Sequence, residues 1–261
     1  MAMKPRLLAL LNLLFLVLMI TVNALANALP INGYNTGQVS AFFPNLFVPA
    51  GFTFGIWSII YLLLILFTLQ STRWLWNRPE SLPGSVARQL SPWFIGSCIL
   101  NFTWILAWHY LQAGLSVLIM LAFLLLLVRV YLTLQAYRGH LSAGQRSWIY
   151  IPFVVYLGWI SVATIANITA LLVSRSWDGF GLSPITWSIL MVSAAILLGL
   201  VFAWKCRDSA YALVVSWALF GIYSAHHNLH PAIGYATLAG IAALLFSVAF
   251  RAFTTSRPAR S

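Results

Sequence analysis

Acidic residues are almost absent from this chain. Of its 261 residues, three are acidic and 14 are Lys or Arg, so that only 7% are charged. A soluble domain carries about 25% charged residues, and a chain with this composition cannot cover a surface that faces water. The acids Glu80, Asp178 and Asp208 all lie outside the apolar runs. The runs therefore lack the intramembrane carboxylates that proton- and sodium-coupled transporters commonly use.

Cysteines are scarce, and the usual signs of catalysis are missing. Cys98 and Cys206 lie in or beside different apolar runs, and two separate thiols indicate neither a metal site nor a disulfide framework. The sequence has no glycine-rich phosphate loop, no paired carboxylates and no nucleophile beside a base. These absences argue against hydrolase and ATPase chemistry and leave other enzymatic activity open.

Apolar residues make up 62% of the chain, including 17 Phe, 12 Trp and 10 Tyr, which excludes a disordered protein. A membrane span needs about 20 apolar residues. Single segments in lipid must satisfy their own backbone hydrogen bonds, so each span is expected to be a helix. We predict an all-α polytopic membrane helical bundle whose partner is the lipid bilayer. Its eight transmembrane helices are expected at 7–26, 51–70, 93–111, 115–136, 149–172, 183–204, 209–225 and 232–252.

The basic residues alternate between the loops. With these spans, every Lys and Arg except Arg175 falls on one side of the membrane. Bases scattered in this way do not form the single basic face of a nucleic-acid binder, so no nucleic-acid partner is expected. The positive-inside rule predicts that both termini are cytoplasmic, and we expect a bacterial cytoplasmic membrane.

The first span has an alternative interpretation. Lys4 and Arg6, the apolar run and Ala26-Asn27-Ala28 together are similar to a cleavable signal peptide. The run from Leu7 to Val22 is longer than the usual core of about 7–15 residues, so we expect the helix to be retained.

The loop from Asn27 to Pro49 has no charged residue. Turn signals at Asn32-Gly33 and Thr36-Gly37 are followed by several aromatic residues. We predict that the loop folds onto the helix ends as a lid; the alternative is a loop that only seals those ends. The lid residues would be Phe42, Phe43 and Phe47.

Three helices carry aromatic and polar residues on single faces, since their spacings of three and four keep them in one stripe. Most of them lie about 8–15 Å inside the predicted spans, deeper than an interfacial belt. Trp N–H groups and Asn amides at that depth need partners, which favours a cavity for a flat lipophilic ligand, with plain helix packing as the alternative. The stripes are Phe54, Trp57 and Tyr61; Ser97, Asn101, Trp104 and Trp108; and Tyr156, Trp159, Ala163 and Asn167.

Two of these stripes resemble a known family. Leu100-Asn101-x-x-Trp104 and Tyr156-x-x-Trp159-x-x-x-Ala163-x-x-x-Asn167 are similar to signatures of the tryptophan-rich sensory proteins, the TspO/MBR family that includes the mitochondrial translocator protein. Pro49 and Trp57-x-x-x-Tyr61 resemble that family's entry to its second helix. The resemblance covers about residues 5–172. It departs at Pro49-Ala50, where the family usually has two prolines, and at Pro152, where a proline is displaced.

The resemblance implies a five-helix core, residues 1–172, with three additional helices in residues 173–261 of the same membrane domain. It implies a binding or sensory protein for a planar lipophilic ligand, with a tetrapyrrole as the expected ligand and a homodimer as one option for assembly. An uncoupled transporter and a porphyrin-degrading enzyme are the alternatives. The ligand-binding residues would be Trp57, Tyr61, Asn101, Trp104, Tyr156, Trp159, Ala163 and Asn167.

A histidine-rich turn precedes the last predicted helix. His226 and His230 are four residues apart, and imidazoles suit Zn, Cu and haem iron. Apart from Asp178, no carboxylate or cysteine accompanies them on that side of the membrane, so we interpret the turn as a polar cap and predict no metal site. Metal or haem ligation is the alternative, and His109 could join a haem site.

Overall fold

The chain folds into α-helices. The computed structural model describes residues 3–29 and 31–255, and the chain is 84% helical, without a β-strand among those residues. The prediction of an all-α bundle suited to a membrane is confirmed. Within the described residues the helices are α1 (Pro5–Ala28), α2 (Thr36–Ala41), α3 (Ile56–Asn77), α4 (Leu82–His109), α5 (Ala113–Tyr137), α6 (Ala143–Gln145), α7 (Ile151–Ser174), α8 (Pro184–Trp204), α9 (Ser209–His226) and α10 (Pro231–Thr255).

Each of the eight predicted spans coincides with a long helix. Within the described part of the chain, seven helices are long and apolar enough to cross a membrane. The remaining long helix, α9, is not among the seven; its 18 residues include the polar Ser216, Ser224 and His226. The count of eight transmembrane helices is therefore not confirmed, although α9 forms where the sequence predicts it.

Serine and proline mark the beginnings of two helices. The Ser81 hydroxyl accepts a hydrogen bond from the Gly84 amide (3.3 Å), and the Ser183 hydroxyl accepts one from Thr186 (3.1 Å). A proline follows each cap within the first turn, where its missing N–H costs nothing. Because of the Ser81 cap, α4 begins at Leu82 and contains Pro92, whereas the predicted span began at residue 93.

The chain divides into two compact units, residues 1–42 with 55–160 and residues 43–54 with 161–261. In the first unit α4 packs against α1, α3 and α5, and α1 also packs against α3. In the second unit α8, α9 and α10 pack against one another in pairs. The predicted division at residues 172 and 173 stays a prediction.

A phenylalanine triad fixes three helices of the first unit. The ring of Phe67 on α3 lies 5.2 Å from that of Phe94 on α4 and 4.8 Å from that of Phe153 on α7. All three side chains are buried. Helices in lipid gain no hydrophobic free energy from contact with each other, so close packing of this kind holds them together. The triad sets the positions of the residues that follow on α4 and α7.

Candidate functional site

Five predicted site residues form an aromatic cluster in the first unit. Trp57 and Tyr61 come from α3, Trp104 from α4, and Tyr156 and Trp159 from α7. The ring centroid of Trp57 lies 5.5 Å from Tyr61, 6.3 Å from Trp104, 6.1 Å from Tyr156 and 6.2 Å from Trp159. The first two rings are stacked on Trp57 and the last two meet it edge-on, which are favourable aromatic geometries. The structure thus brings together residues from three separate stripes.

The indole nitrogen of Trp104 is a buried donor that has no hydrogen-bond partner among the described residues. The Trp104 side chain is 6% exposed, and its ring also stacks on Trp108 at 6.1 Å. A buried Trp N–H usually has a partner, and leaving it unsatisfied costs about 1–3 kcal/mol. An acceptor atom of a ligand would therefore be stabilised at this position without breaking a bond within the protein.

Asn101 links three helices of the first unit by hydrogen bonds. Its Nδ2 donates to the Tyr156 hydroxyl (2.8 Å), and its Oδ1 accepts from Nδ2 of Asn23 on α1 (2.7 Å). Asn101 and Tyr156 are fully buried. These two predicted site residues therefore serve helix packing, which the sequence left open as the alternative to lining a cavity. Sequence reasoning missed Asn23, which is one of two asparagines, with Asn12, inside the predicted span 7–26.

The two remaining predicted site residues belong to the part of α7 in the second unit. Ala163 is half-buried, and Asn167 is 3% exposed. Their contribution to a ligand site stays a prediction.

The first half of the loop between α1 and α3 is held on α4 by His109. The His109 ring is fully buried, with Nδ1 3.3 Å from the Ile31 carbonyl oxygen and Nε2 3.0 Å from the Thr36 hydroxyl. Because a carbonyl oxygen can only accept, Nδ1 donates to Ile31 and Nε2 accepts from Thr36. Asn32 Nδ2 donates to the His109 carbonyl oxygen (3.1 Å). Both ring nitrogens are engaged, which argues against His109 as a haem ligand.

The three predicted lid residues have different environments. Phe42, at the end of α2, is 46% exposed and meets the Tyr34 ring edge-on at 4.8 Å. Phe43 and Phe47 belong to the second unit and are buried, at 7% and 2% exposure. The loop is thus a folded segment, and its function as a lid stays a prediction.

Residues 43–54, which we call the docked segment, are bound to helices of the second unit. Ser188 on α8 donates to the carbonyl oxygen of Leu46 (2.8 Å). His226, at the end of α9, donates from Nε2 to the carbonyl oxygen of Val48 (2.9 Å). Sequence reasoning did not indicate either contact, because no local motif links residues so far apart in the chain.

Gly221 allows the docked segment to approach α9 closely. The Ala50 amide donates to the Gly221 carbonyl oxygen (3.0 Å), and the Trp217 indole donates to the Thr53 carbonyl oxygen (2.9 Å). A Cβ atom on Gly221 would lie 2.1 Å from Thr53 Oγ1 and 2.9 Å from Pro49 Cβ. Only glycine fits at this contact, and Trp217 has a structural role that the sequence did not reveal.

The histidine-rich turn is engaged in protein contacts. His226 follows the apolar stretch 209–225. Partial burial lowers the pKa of its imidazole, and the hydrogen bond to the Val48 carbonyl oxygen partly opposes that shift. His227 stacks on Tyr223 at 4.4 Å and has Nδ1 2.9 Å from the Tyr223 carbonyl oxygen. Across residues 3–29 and 31–255, no group of three or more His, Cys, Asp or Glu side chains is placed to hold a metal ion.

The second unit also contains a pocket between the end of α7 and the beginning of α8, which we call the α7–α8 pocket. Its volume is about 380 Å³, within the range of small-molecule sites. The lining is mostly apolar and includes two indoles, Trp177 and Trp187, and one carboxylate, Asp178. Sequence reasoning missed this pocket, because its walls come from stretches that share no motif.

A family model described as TSPO-like protein matches residues 9–250. The match extends past residue 172 and covers α8, α9 and most of α10. No curated protein and no solved structure matches the chain.

Proposed function

The chain belongs to the TSPO-like family, and from that premise we propose that this membrane protein binds a planar lipophilic ligand, a tetrapyrrole, at the aromatic cluster. The observation that carries the proposal is the buried indole donor of Trp104, which lacks a hydrogen-bond partner among the described residues. It lies in a group of stacked and edge-on aromatic rings contributed by three helices. A flat conjugated ligand with acceptor atoms at its rim could pack on the aromatic rings and accept a hydrogen bond from the Trp104 indole.

When the ligand binds, some contacts among the aromatic rings of the cluster would be replaced by contacts between these rings and the ligand. Trp57 is only half-buried, and it contacts all four of the other aromatic rings of the cluster. A shift of this one side chain would open a face of Trp104 to the ligand. An aromatic contact contributes about 0.5–1.5 kcal/mol beyond the buried area. A hydrogen bond from Trp104 to a ligand acceptor adds about 0.5–1.5 kcal/mol.

The substitution Trp104→Phe tests this proposal, because it removes the N–H donor and keeps an aromatic ring. We expect the Kd for protoporphyrin IX to rise about 2–13-fold, measured by tryptophan quenching in lipid nanodiscs. The matched control is Trp76→Phe, at an indole on α3 that is 43% exposed and lies outside the aromatic cluster. Equal affinity of the parent, Trp104→Phe and Trp76→Phe would refute a role for the Trp104 donor.

A second substitution tests the part of the predicted site on α7. Ala163 is half-buried, and the added ring of Ala163→Phe would occupy space that the predicted site assigns to the ligand. We expect a loss of porphyrin affinity of at least about tenfold. Ala122→Phe, at an exposed alanine of α5, is the control for the added bulk. If both variants bind porphyrin like the parent, Ala163 does not line the site.

We also propose that α9 is an eighth span, and that both termini lie on the cytoplasmic side of a bacterial membrane. Support comes from packing, since α9 lies against α8 and α10, which are both long enough to span. Support also comes from the loop charges, although Arg257 and Arg260 lie outside the described residues. Reporter fusions at residue 261 and in the loop 27–49 should report opposite sides. Two reporters on the same side would exclude eight spans.

A further inference from the structure

We propose that the α7–α8 pocket binds an amphiphilic ammonium compound. In this assignment the cationic head lies against Trp177, Trp187 and Asp178, and the apolar tail lies along the aliphatic wall. The site differs from the aromatic cluster, and the assignment does not depend on the function proposed there.

The pocket has the size and the lining that a small amphiphile needs. Its volume of about 380 Å³ lies in the range of about 300–1,000 Å³ that is usual for ligand sites. Apart from the indoles and a few polar groups, the wall is apolar, so it suits a hydrocarbon tail. The apolar residues come from the docked segment, from α7, from α8 and from the turn between these helices, and they include Leu46, Phe47, Ile168, Leu172, Leu182 and Met191.

The polar side chains of the wall bond to the protein, which leaves the pocket surface rigid. Ser188 donates to the carbonyl oxygen of Leu46 (2.8 Å). The amide of Asn45 donates to the Phe43 carbonyl oxygen (2.8 Å) and accepts from the Phe47 amide (3.0 Å). These groups hold the docked segment in place as one wall.

The two indoles have fixed orientations. Trp187 Nε1 donates to the Gly179 carbonyl oxygen (2.6 Å), and the Trp177 ring lies 4.8 Å from the Trp187 ring at an angle of 58°. Gly179 has a φ of +70°, and a Cβ atom there would lie 2.8 Å from Trp187 Nε1. Because its N–H is already bonded, Trp187 can interact with a ligand through its ring and not as a hydrogen-bond donor. The face of an indole is the aromatic surface that attracts cations most strongly.

Asp178, an exposed residue, contributes a negative charge to the lining of the same pocket. One of its carboxylate oxygens accepts from the Phe180 amide (3.0 Å) and caps the turn Gly179–Gly181. Within the described residues no base forms an ion pair with Asp178, and Arg175, the nearest base in the sequence, does not line the pocket. A carboxylate beside two indoles favours a cation over a neutral or anionic head group.

The ammonium head can come from two sources, a lipid head group or a free amphiphilic amine. The probe that tests the shared chemistry is decyltrimethylammonium, with decanol and decanoate as neutral and anionic probes of equal tail length. The protein is labelled with 5-fluorotryptophan and placed in nanodiscs of a neutral glycolipid that has no ammonium group. The fluorine signals of Trp177 and Trp187 are assigned with the variants Trp177→Phe and Trp187→Phe.

We expect decyltrimethylammonium to shift the signals of Trp177 and Trp187 with saturation, and the neutral and anionic probes to bind more weakly. Asp178→Asn keeps the acceptor for the Phe180 amide, and it should weaken binding of the ammonium probe about 2–5-fold. Glu80→Gln, at an exposed acid of the first unit, is the matched control and should leave the Kd unchanged. An unchanged Trp187 signal without probe shows that Asp178→Asn keeps the fold.

Phosphatidylcholine nanodiscs distinguish the two sources. If phosphatidylcholine weakens binding of decyltrimethylammonium, the lipid head group occupies the pocket. If probe binding is undiminished, the natural occupant is a free amphiphilic amine. Both results support the assignment. Equal affinity for decanol and decyltrimethylammonium overturns it. The same holds if Asp178→Asn binds the ammonium probe as the parent does, or if neither tryptophan signal shifts.

Discussion

The imidazole Nε2 of His226 lies 2.9 Å from the carbonyl oxygen of Val48, a residue 178 positions earlier in the chain. The contact joins the end of α9 to the docked segment. His109 has a corresponding role for the other half of the loop, where it contacts Ile31 and Thr36. A histidine therefore contributes to the attachment of each half of the uncharged loop to its own unit.

Removing the His226 imidazole should loosen the docked segment. A hydrogen bond of this kind contributes about 0.5–1.5 kcal/mol, so His226→Ala should raise amide exchange rates within residues 43–54 about 2–13-fold. Hydrogen exchange measured by mass spectrometry in nanodiscs checks this. His140→Ala, at an exposed histidine of the first unit, should leave the exchange pattern unchanged. If residues 43–54 are as well protected from exchange in His226→Ala as in the parent, the contacts with Ser188, Gly221 and Trp217 are sufficient to hold the docked segment.

Docking of this segment should also depend on pH. Partial burial lowers the pKa of His226 in the folded protein, and His230, 6.4 Å away, adds to that effect. The unfolded state then binds a proton more readily than the folded state, so the stabilisation is present above the ordinary imidazole pKa of about 6.5. It is lost as the pH falls below that value. Protection of residues 43–54, corrected for intrinsic exchange, should decrease between about pH 7 and 5 in the parent and not in His226→Ala.

Substitution of His109 should raise amide exchange only in the first half of the loop. His109→Leu removes two buried hydrogen bonds, to Ile31 and Thr36, and should raise amide exchange in residues 31–41 by about tenfold or more. Residues 43–54 should keep their protection, just as residues 31–41 should keep theirs in His226→Ala. Loss of protection in both halves from either single change would show that the loop unfolds as one piece.

Periodicity in the sequence predicted much of the first unit. Aromatic residues spaced three and four apart must share a helix face, so Trp57, Trp104 and Trp159 could be assigned to inward-facing stripes. Their mutual contacts in the structure follow from that pattern once the helices pack. The long helices were predictable because each contains a long, mostly apolar run.

The contacts between distant segments could not be predicted. Trp217 bonds the Thr53 carbonyl oxygen across 164 residues, and a backbone carbonyl has no signature in a sequence. The α7–α8 pocket depends on the turn at Gly179, where only the structure shows that a side chain would meet Trp187. Asn23 was equally hidden, because nothing in α1 indicates that its amide faces Asn101 on α4.

Gly221 should not tolerate a side chain. In Gly221→Ala the new methyl group would overlap Thr53 Oγ1 at 2.1 Å, and crowding of this kind typically costs about 1–3 kcal/mol. We expect a lower Tm and faster amide exchange in the docked segment. Gly114→Ala, at a helical glycine with no atom within 4 Å of the added Cβ, is the matched control and should be neutral or slightly stabilising. Equal Tm values for the two variants would mean that the approach to α9 is looser than the structure has it.

Asn101 should contribute to the stability of the folded protein, because its side-chain amide forms hydrogen bonds to both α1 and α7. Asn101→Leu preserves the approximate volume and removes the bonds to Asn23 and Tyr156, which leaves both partners buried in an apolar bundle. Hydrogen bonds between membrane helices average about 0.6 kcal/mol and reach about 1.7, so losing two should lower the free energy of unfolding by about 1–3 kcal/mol. Titration with denaturing detergent in mixed micelles measures this quantity. Thr103→Val on the same helix loses only a bond to the Ile99 carbonyl oxygen within α4, and should cost much less. If the two variants unfold at the same detergent fraction, the network through Asn101 does not hold the three helices together.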